Sequence, residues 1–364
     1  MNAIEEEKNN LRTRCGYKPS ECIFSFERNL SDAGAVAIGK CLHFGIDLVC
    51  SGGLHTFFKI LWEYSLNHIN IGSPRVFMYL NKRMKEIDEL VKTYPDETLY
   101  NNTNFQSKIG EMILILHDAP KHPKLTWPKV GVETHNESWI RGLESAIDTE
   151  IVNKVWKPDG DLKILKTVGN EICKNLADHS LERVLFWMKF TYEEESKVKK
   201  ENSKNSLSTV DRSSGGKSKN EVGYYFLSLF SEFYKELAKK QQIRMHEEFL
   251  SLIEIFRAHD LRFTNSFKRN LLGLMARILC EVPRWKIPAA NSLVKDPVVI
   301  SRAIQQIPKF FHEVLQYPSV SSGNLSKMLK KKGKIDSIKK DSKKLSMEEQ
   351  FEAFDKAMEV YMSK

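Results

Sequence analysis

Residues able to do chemistry are present in this sequence, but none of them falls into a complete catalytic or metal-binding spacing. Gly215-Gly216-Lys217-Ser218 has the closing part of a phosphate-cradling loop. The full pattern G-x-x-x-x-G-K-[ST] needs glycine at 211, where Asp211 stands, and an apolar strand before it, where the chain is polar. His246-Glu247-Glu248 begins like a zinc-protease helix, yet the second histidine is missing because position 250 is Leu250. His117-Asp118 and His259-Asp260 are adjacent imidazole–carboxylate pairs with no serine or cysteine nucleophile marked by spacing. A triad is assembled in space rather than along the chain, so an enzymatic reading would gain support from a deep pocket containing His117, His122, His135 or neighbouring carboxylates. The six cysteines, Cys15, Cys22, Cys41, Cys50, Cys173 and Cys280, lack the short C-x2-4-C pairs of a zinc site. They read as reduced, mostly buried thiols. No cofactor and no catalytic residue is assigned.

Binding is a better reading of the unusual residues. Lys124-Leu125-Thr126-Trp127-Pro128-Lys129 and Pro283-Arg284-Trp285-Lys286-Ile287-Pro288 each place an indole between cations in a backbone that proline keeps irregular, and Trp156-Lys157-Pro158 is a shorter echo. An indole face can stack on a base while the cations hold phosphates, which makes Lys124, Trp127, Lys129, Lys157, Arg284, Trp285 and Lys286 candidate nucleic-acid contacts. The competing reading is that each tryptophan plugs the core and its lysines are solvated neighbours, since large aromatics are usually well buried. Lys330, Lys331 and Lys332, followed by Lys339 and Lys340, have the two-cluster layout of a nuclear-targeting segment or a nucleic-acid tether, or form a solvated tail. Beyond them Ser346-Met347-Glu348-Glu349 fits a capping box, and Phe351, Phe354 and Met358 share a helical face that could enter a partner's groove.

Charge distribution decides how far the basic character reaches. Of the net +9, residues 197–220 carry +5, residues 321–345 carry +7 and residues 346–364 carry −3, so the remainder is neutral. The high isoelectric point therefore belongs to a linker and a tail, not to a body-wide binding face. No uncharged run approaches the ~20 apolar residues of a membrane span, and the acidic start at Glu5-Glu6-Glu7 is unlike a secretory signal. These features read as an intracellular, cytoplasmic or nuclear protein.

The positioning elements are helices. From Asp32 to Val91 two apolar helical patterns, broken at Ser51-Gly52-Gly53, are followed by a third after Gly72-Ser73-Pro74. Val36, Ile38, Cys41, Leu42, Ile46, Leu48 and Val49 form the first apolar side, with Asn29-Leu30-Ser31-Asp32 as its capping region. Gly34, Gly39 and Gly45 weaken that helix and leave room for a neighbour. Leu54, Phe57, Phe58, Leu61 and Trp62 form a face too aromatic to stand in water. Phe77, Leu80, Met84, Ile87 and Val91 make a narrower seam on a surface helix. The region of residues 117–139, with three prolines between 120 and 128, is a structured loop.

The expected architecture is all-α: two packed multi-helix groups, a flexible internal linker and a disordered basic C-terminal tail. Residues 1–30 are an irregular segment with Cys22-Ile23-Phe24-Ser25-Phe26 as a short strand or docking piece. Residues 31–195 form one helical domain, 196–220 the linker or insertion, 221–318 the second group, 319–345 the tail and 346–364 the terminal helix. The functional expectation is a non-enzymatic interaction or scaffold protein with a protein partner. The alternative is an accessory nucleic-acid-binding protein using the lysine tail and the Trp/Lys loops.

Overall fold

The structure is a computed structural model that describes residues 12–94, 96–131, 150–201, 206–212, 222–241, 246–258, 263–281 and 293–318. The chain is all-α, with its helices in packed groups. Among the described residues no strand forms, and the nearest approach is a single antiparallel bridge between Asp161 and Ser208. The expected terminal helix with Phe351, Phe354 and Met358, and the tail lysines Lys330, Lys331, Lys332, Lys339 and Lys340, lie outside the described residues. So do Gly215-Gly216-Lys217-Ser218, His259-Asp260, His135, and Arg284, Trp285 and Lys286.

The first helix corrects a sequence expectation. Pro19–Ser31 is α1, not an irregular segment. Proline at its first position sacrifices no helical hydrogen bond, and the Lys18 N–H donates to the Glu21 carboxylate at 3.2 Å. Cys22, Ile23, Phe26 and Leu30 recur at helical spacing and are buried, while Phe24, which suggested a strand, points outward with 63% of its surface exposed. Asn29-Leu30-Ser31 therefore ends α1 rather than capping the next helix, and α2 (Ala35–Cys50) starts at Gly34, whose φ of 97° suits glycine. Val36 does not belong to the apolar face; it is 72% exposed.

The glycines of α2 do admit a neighbour. A Cβ on Gly45 would sit 2.7 Å from Ile113 Cδ1 and 2.8 Å from Phe26 Cε2, so α1 and α6 (Thr103–Asp118) close on α2 at this point. The aromatic face of α3 (Leu54–Tyr64) is buried as its composition demands, with Phe57, Phe58, Leu61 and Trp62 in the interior. A π turn at Ser65–Ile69 and a 3-10 turn at Asn70–Gly72 lead to α4 (Arg75–Thr93). The short α5 (Asp96–Tyr100) precedes α6, whose cap is the Asn102 side chain accepting from the Asn104 and Phe105 N–H groups at 2.9 and 3.1 Å.

The later chain forms α7 (Glu150–Val155), α8 (Lys163–Ala177), α9 (Leu181–Glu201), α10 (Val222–Gln241), α11 (Glu247–Arg257) and α12 (Asn265–Glu281). Between α8 and α9 the backbone reverses at His179, which adopts a left-handed φ of 57°. α13 (Pro297–Ile304) and α14 (Ile307–Leu315) are separated before Pro308. Asp296 caps α13 through bonds from Val298 and Val299 N–H at 3.0 and 3.1 Å, as the Asp-Pro pair predicts.

Packing assigns the helices to groups in a way that chain order does not. α7 to α10 pack together with α12, but α13 and α14 turn back onto α2 and α6. Residues 297–315 thus complete the first group, with Ile307 seated against Gly110 and Phe311 near Phe105. One continuous apolar core links both groups. Trp62 meets Phe263 and Phe267 edge-on, at 5.3 and 5.9 Å between ring centres. α11 is also clamped to α4 by the Arg75–Glu248 and Lys85–Glu254 ion pairs.

Part of the expected linker is fastened rather than free. Residues 206–212 run beside α7 and α8, where Leu162 N–H donates to Leu207 O and Thr209 N–H to Gly160 O. Glu195 accepts from Ser206 Oγ at 2.8 Å and Leu207 N–H at 2.7 Å. The polar composition of this stretch suggested solvation, but its serines and arginine bond to buried carboxylates instead.

Candidate binding surface at the proline-rich loop

After α6 ends at Asp118, residues 119–131 run without regular structure, as prolines 120, 123 and 128 require. Side chains and neighbouring elements supply the partners that a helix would have provided. The Lys121 ammonium donates to the Leu116 carbonyl and, at 3.1 Å, to the His117 carbonyl, closing the exposed end of α6. It also lies 4.9 Å from the centre of the Tyr64 ring. Tyr64 is held in turn by its hydroxyl, which donates to Leu30 O at 2.6 Å, and it stacks on His68 at 4.6 Å.

The loop then crosses from the first helical group to the second. Pro120 O passes so close to Gly72 that a Cβ there would be 2.6 Å from it. His122 N–H donates to His68 O at 2.8 Å. Arg277 of α12 donates to Pro123 O at 3.1 Å and faces His122 Nδ1 at 3.3 Å. Leu125 is buried against Gly273, and Lys189 of α9 donates to Pro128 O at 2.8 Å.

Three residues singled out in the sequence, Lys124, Trp127 and Lys129, come together on this loop in different roles. Trp127 is half-buried, its indole N–H donates to Asn270 Oδ1 at 3.1 Å and its six-membered edge lies against Gly273. That edge and the N–H are committed to α12. Lys124 and Lys129 remain exposed. Lys157 sits elsewhere, after α7, with its ammonium on Lys154 O at 3.0 Å. Its neighbour Trp156 donates to Leu162 O at 3.3 Å.

Burial and like charge govern the titratable groups around the loop. Burial of the Lys121 ammonium pushes its pKa down to about 8, and Lys295 adds to the shift while Asp118 opposes it. The residue as a whole stays exposed to solvent. His68 is held below its ordinary value by burial and then by Lys121 and Lys124. His117 is lowered by burial and Lys121, against the opposing influence of an Asp32 backbone bond and Asp118.

The arrangement does not make an acid–base pair of His117 and Asp118. Asp118 instead accepts from the backbone N–H groups of Lys295 and Asp296 at 2.7 and 2.8 Å, tying the start of α13 to the end of α6. His246 serves at the head of α11, where its N–H donates to Tyr234 Oη at 3.0 Å and its ring stacks on Tyr234. Among the described residues no cluster of three histidine, cysteine or acidic side chains has metal-holding geometry, and all six cysteines are free thiols.

Sequence reasoning missed His68 and Arg277 as parts of this surface. Arg277 sits inside an apolar helix and carries no local signature. Gly273, in the run Leu271-Leu272-Gly273-Leu274, was the available signal that another backbone or side chain approaches here. Comparison with known proteins finds no matching family model, no matching curated protein and no matching solved structure.

Proposed function

We propose that the protein is a non-enzymatic helical scaffold that binds a protein partner, with the proline-rich loop as its presented surface. The observation that supports this reading is the way residues 119–131 are held. An irregular segment is fixed by α6, the π turn, α9 and α12, yet Lys124 and Lys129 project from it with no partner among the described residues. A loop ordered before binding loses little conformational entropy on association, and unpaired cations on it favour an acidic counterpart. The free thiols support an intracellular setting. Among the described residues no helix is long and apolar enough to cross a membrane.

The test is a photo-crosslinking residue at exposed Thr126 in the full-length protein inside cells. The expected result is crosslinking to a discrete protein that is lost in Lys124→Glu/Lys129→Glu, with the variant's melting temperature unchanged. Crosslinks to RNA or DNA would transfer the loop to the nucleic-acid reading, in which Lys124, Lys129 and Lys157 act through charge and Trp127 contributes packing. No discrete crosslink at all would overturn the scaffold reading.

A further inference from the structure

Arg277 carries a charge that the described residues leave without an ion pair. Its side chain is half-buried, and it forms no ion pair among the described residues, with Glu281 one helical turn away only modulating its field. One arm of the guanidinium meets the Pro123 carbonyl and His122 Nδ1, and Nε is buried with no hydrogen-bond partner. A buried cation normally sits beside a carboxylate or holds a ligand, because removing it from water unpaired is costly.

The surroundings add donors and positive charge. His122 Nδ1 lies 3.3 Å from both Arg277 Nη1 and the Pro123 carbonyl, and with Nδ1 accepting from Arg277 the ring offers Nε2–H as a further donor. Lys124 follows Pro123 directly, is exposed and has no hydrogen-bond or ion-pair partner among the described residues. Lys121 contributes a second ammonium beside His68. Asp118, the last residue before the loop, accepts from the backbone N–H groups of Lys295 and Asp296.

We propose that Arg277, His122 and Lys124 form a binding site for a phosphate oxyanion at the seam between the two helical groups. A guanidinium, an imidazole N–H and an ammonium offer the fork and point-charge donors that recognise tetrahedral oxyanions. The site does not depend on the scaffold reading: it is filled equally by free phosphate or by a phosphate monoester carried on a larger molecule.

The experiment titrates full-length protein with inorganic phosphate and, separately, phenyl phosphate, at ionic strength held constant with chloride. Calorimetry and thermal melting read the result. Saturable binding at one site and a rise in melting temperature are expected, with affinity falling about tenfold in Arg277→Gln and severalfold in His122→Ala and Lys124→Ala. Stronger binding of the monoester supports the site and assigns its oxyanion to a larger molecule; equal binding supports it with free phosphate sufficient. Should Arg277→Gln fail to fold, the two loop variants decide. The proposal is overturned if phosphate stabilises no more than chloride, or if folded His122→Ala and Lys124→Ala bind phosphate like the parent.

Discussion

Arg212 reaches across 51 positions of sequence to Asp161, and the two make a bidentate ion pair in the interior. The Arg212 Nη1 to Asp161 Oδ1 bond is 2.9 Å, and a second bond joins Nη2 to Oδ2. The aspartate side chain is 0% exposed and the arginine 9%. Ser208 Oγ donates to the same carboxylate at 2.6 Å, and the guanidinium covers the Tyr225 ring at 5.2 Å. This pair holds residues 206–212 against the second helical group.

Removing one member of that pair strands the other in the core. Arg212→Met and Asp161→Asn are each expected to lower the unfolding free energy by about 3–5 kcal/mol. Urea denaturation checks this, and a double-mutant cycle should give a coupling well above that of a surface pair. Independent, additive losses would show that the two side chains do not act as one unit.

Two glycines of α2 should respond oppositely to alanine. Gly45→Ala forces a methyl into contact with Ile113 and Phe26 and is expected to cost about 1–3 kcal/mol. At Gly39 the nearest atom to a new Cβ is Phe310 Cζ at 3.9 Å, an ordinary contact. Gly39→Ala should stabilise by about 0.5–1 kcal/mol through helix propensity. Thermal melts of both variants make the comparison.

Trp127→Phe keeps most of the ring but removes the donor to Asn270. A loss of about 1 kcal/mol is expected on urea denaturation. If the indole were instead a base-stacking platform, the same variant would leave stability unchanged and weaken oligonucleotide binding.

Acid should loosen the junction around the loop. His68 and His117 have folded pKa values below their ordinary value of 6.5, so the unfolded chain takes up protons first as pH falls through 6.5. Stability from these groups is therefore present above pH 6.5 and lost as pH drops toward their folded values. Lys121, lowered from 10.5 to about 8, gives the same slope in another window: its contribution rises with pH between about 8 and 10.5. Urea midpoints across pH 5–7 should flatten in His68→Gln/His117→Gln. An unchanged profile would remove these imidazoles as its cause.

The aromatic run Leu54 to Trp62 was legible because its spacing is local. α1 was not, since Phe24 and Phe26 imitate strand alternation and only burial reveals that Cys22, Ile23, Phe26 and Leu30 form the inward side. The fastening of residues 206–212 was illegible for a different reason. A serine-rich stretch looks solvated until Asp161 and Glu195, 11 to 51 positions distant, arrive to accept its donors. Within the loop, Lys124, Trp127 and Lys129 stood out by composition, whereas Arg277 reaches the site only through the packing of α12.

The return of α13 and α14 onto α2 and α6 has a consequence for synthesis. Ile307, Phe311 and Val314 fill the first group from the far end of the described chain, so helices made early stay incompletely covered until residue 315 has left the ribosome. Contacts of such long sequence separation slow folding, and the uncovered apolar face is open to chaperones or aggregation meanwhile. The last of the described helices to be translated are the ones that complete the first group.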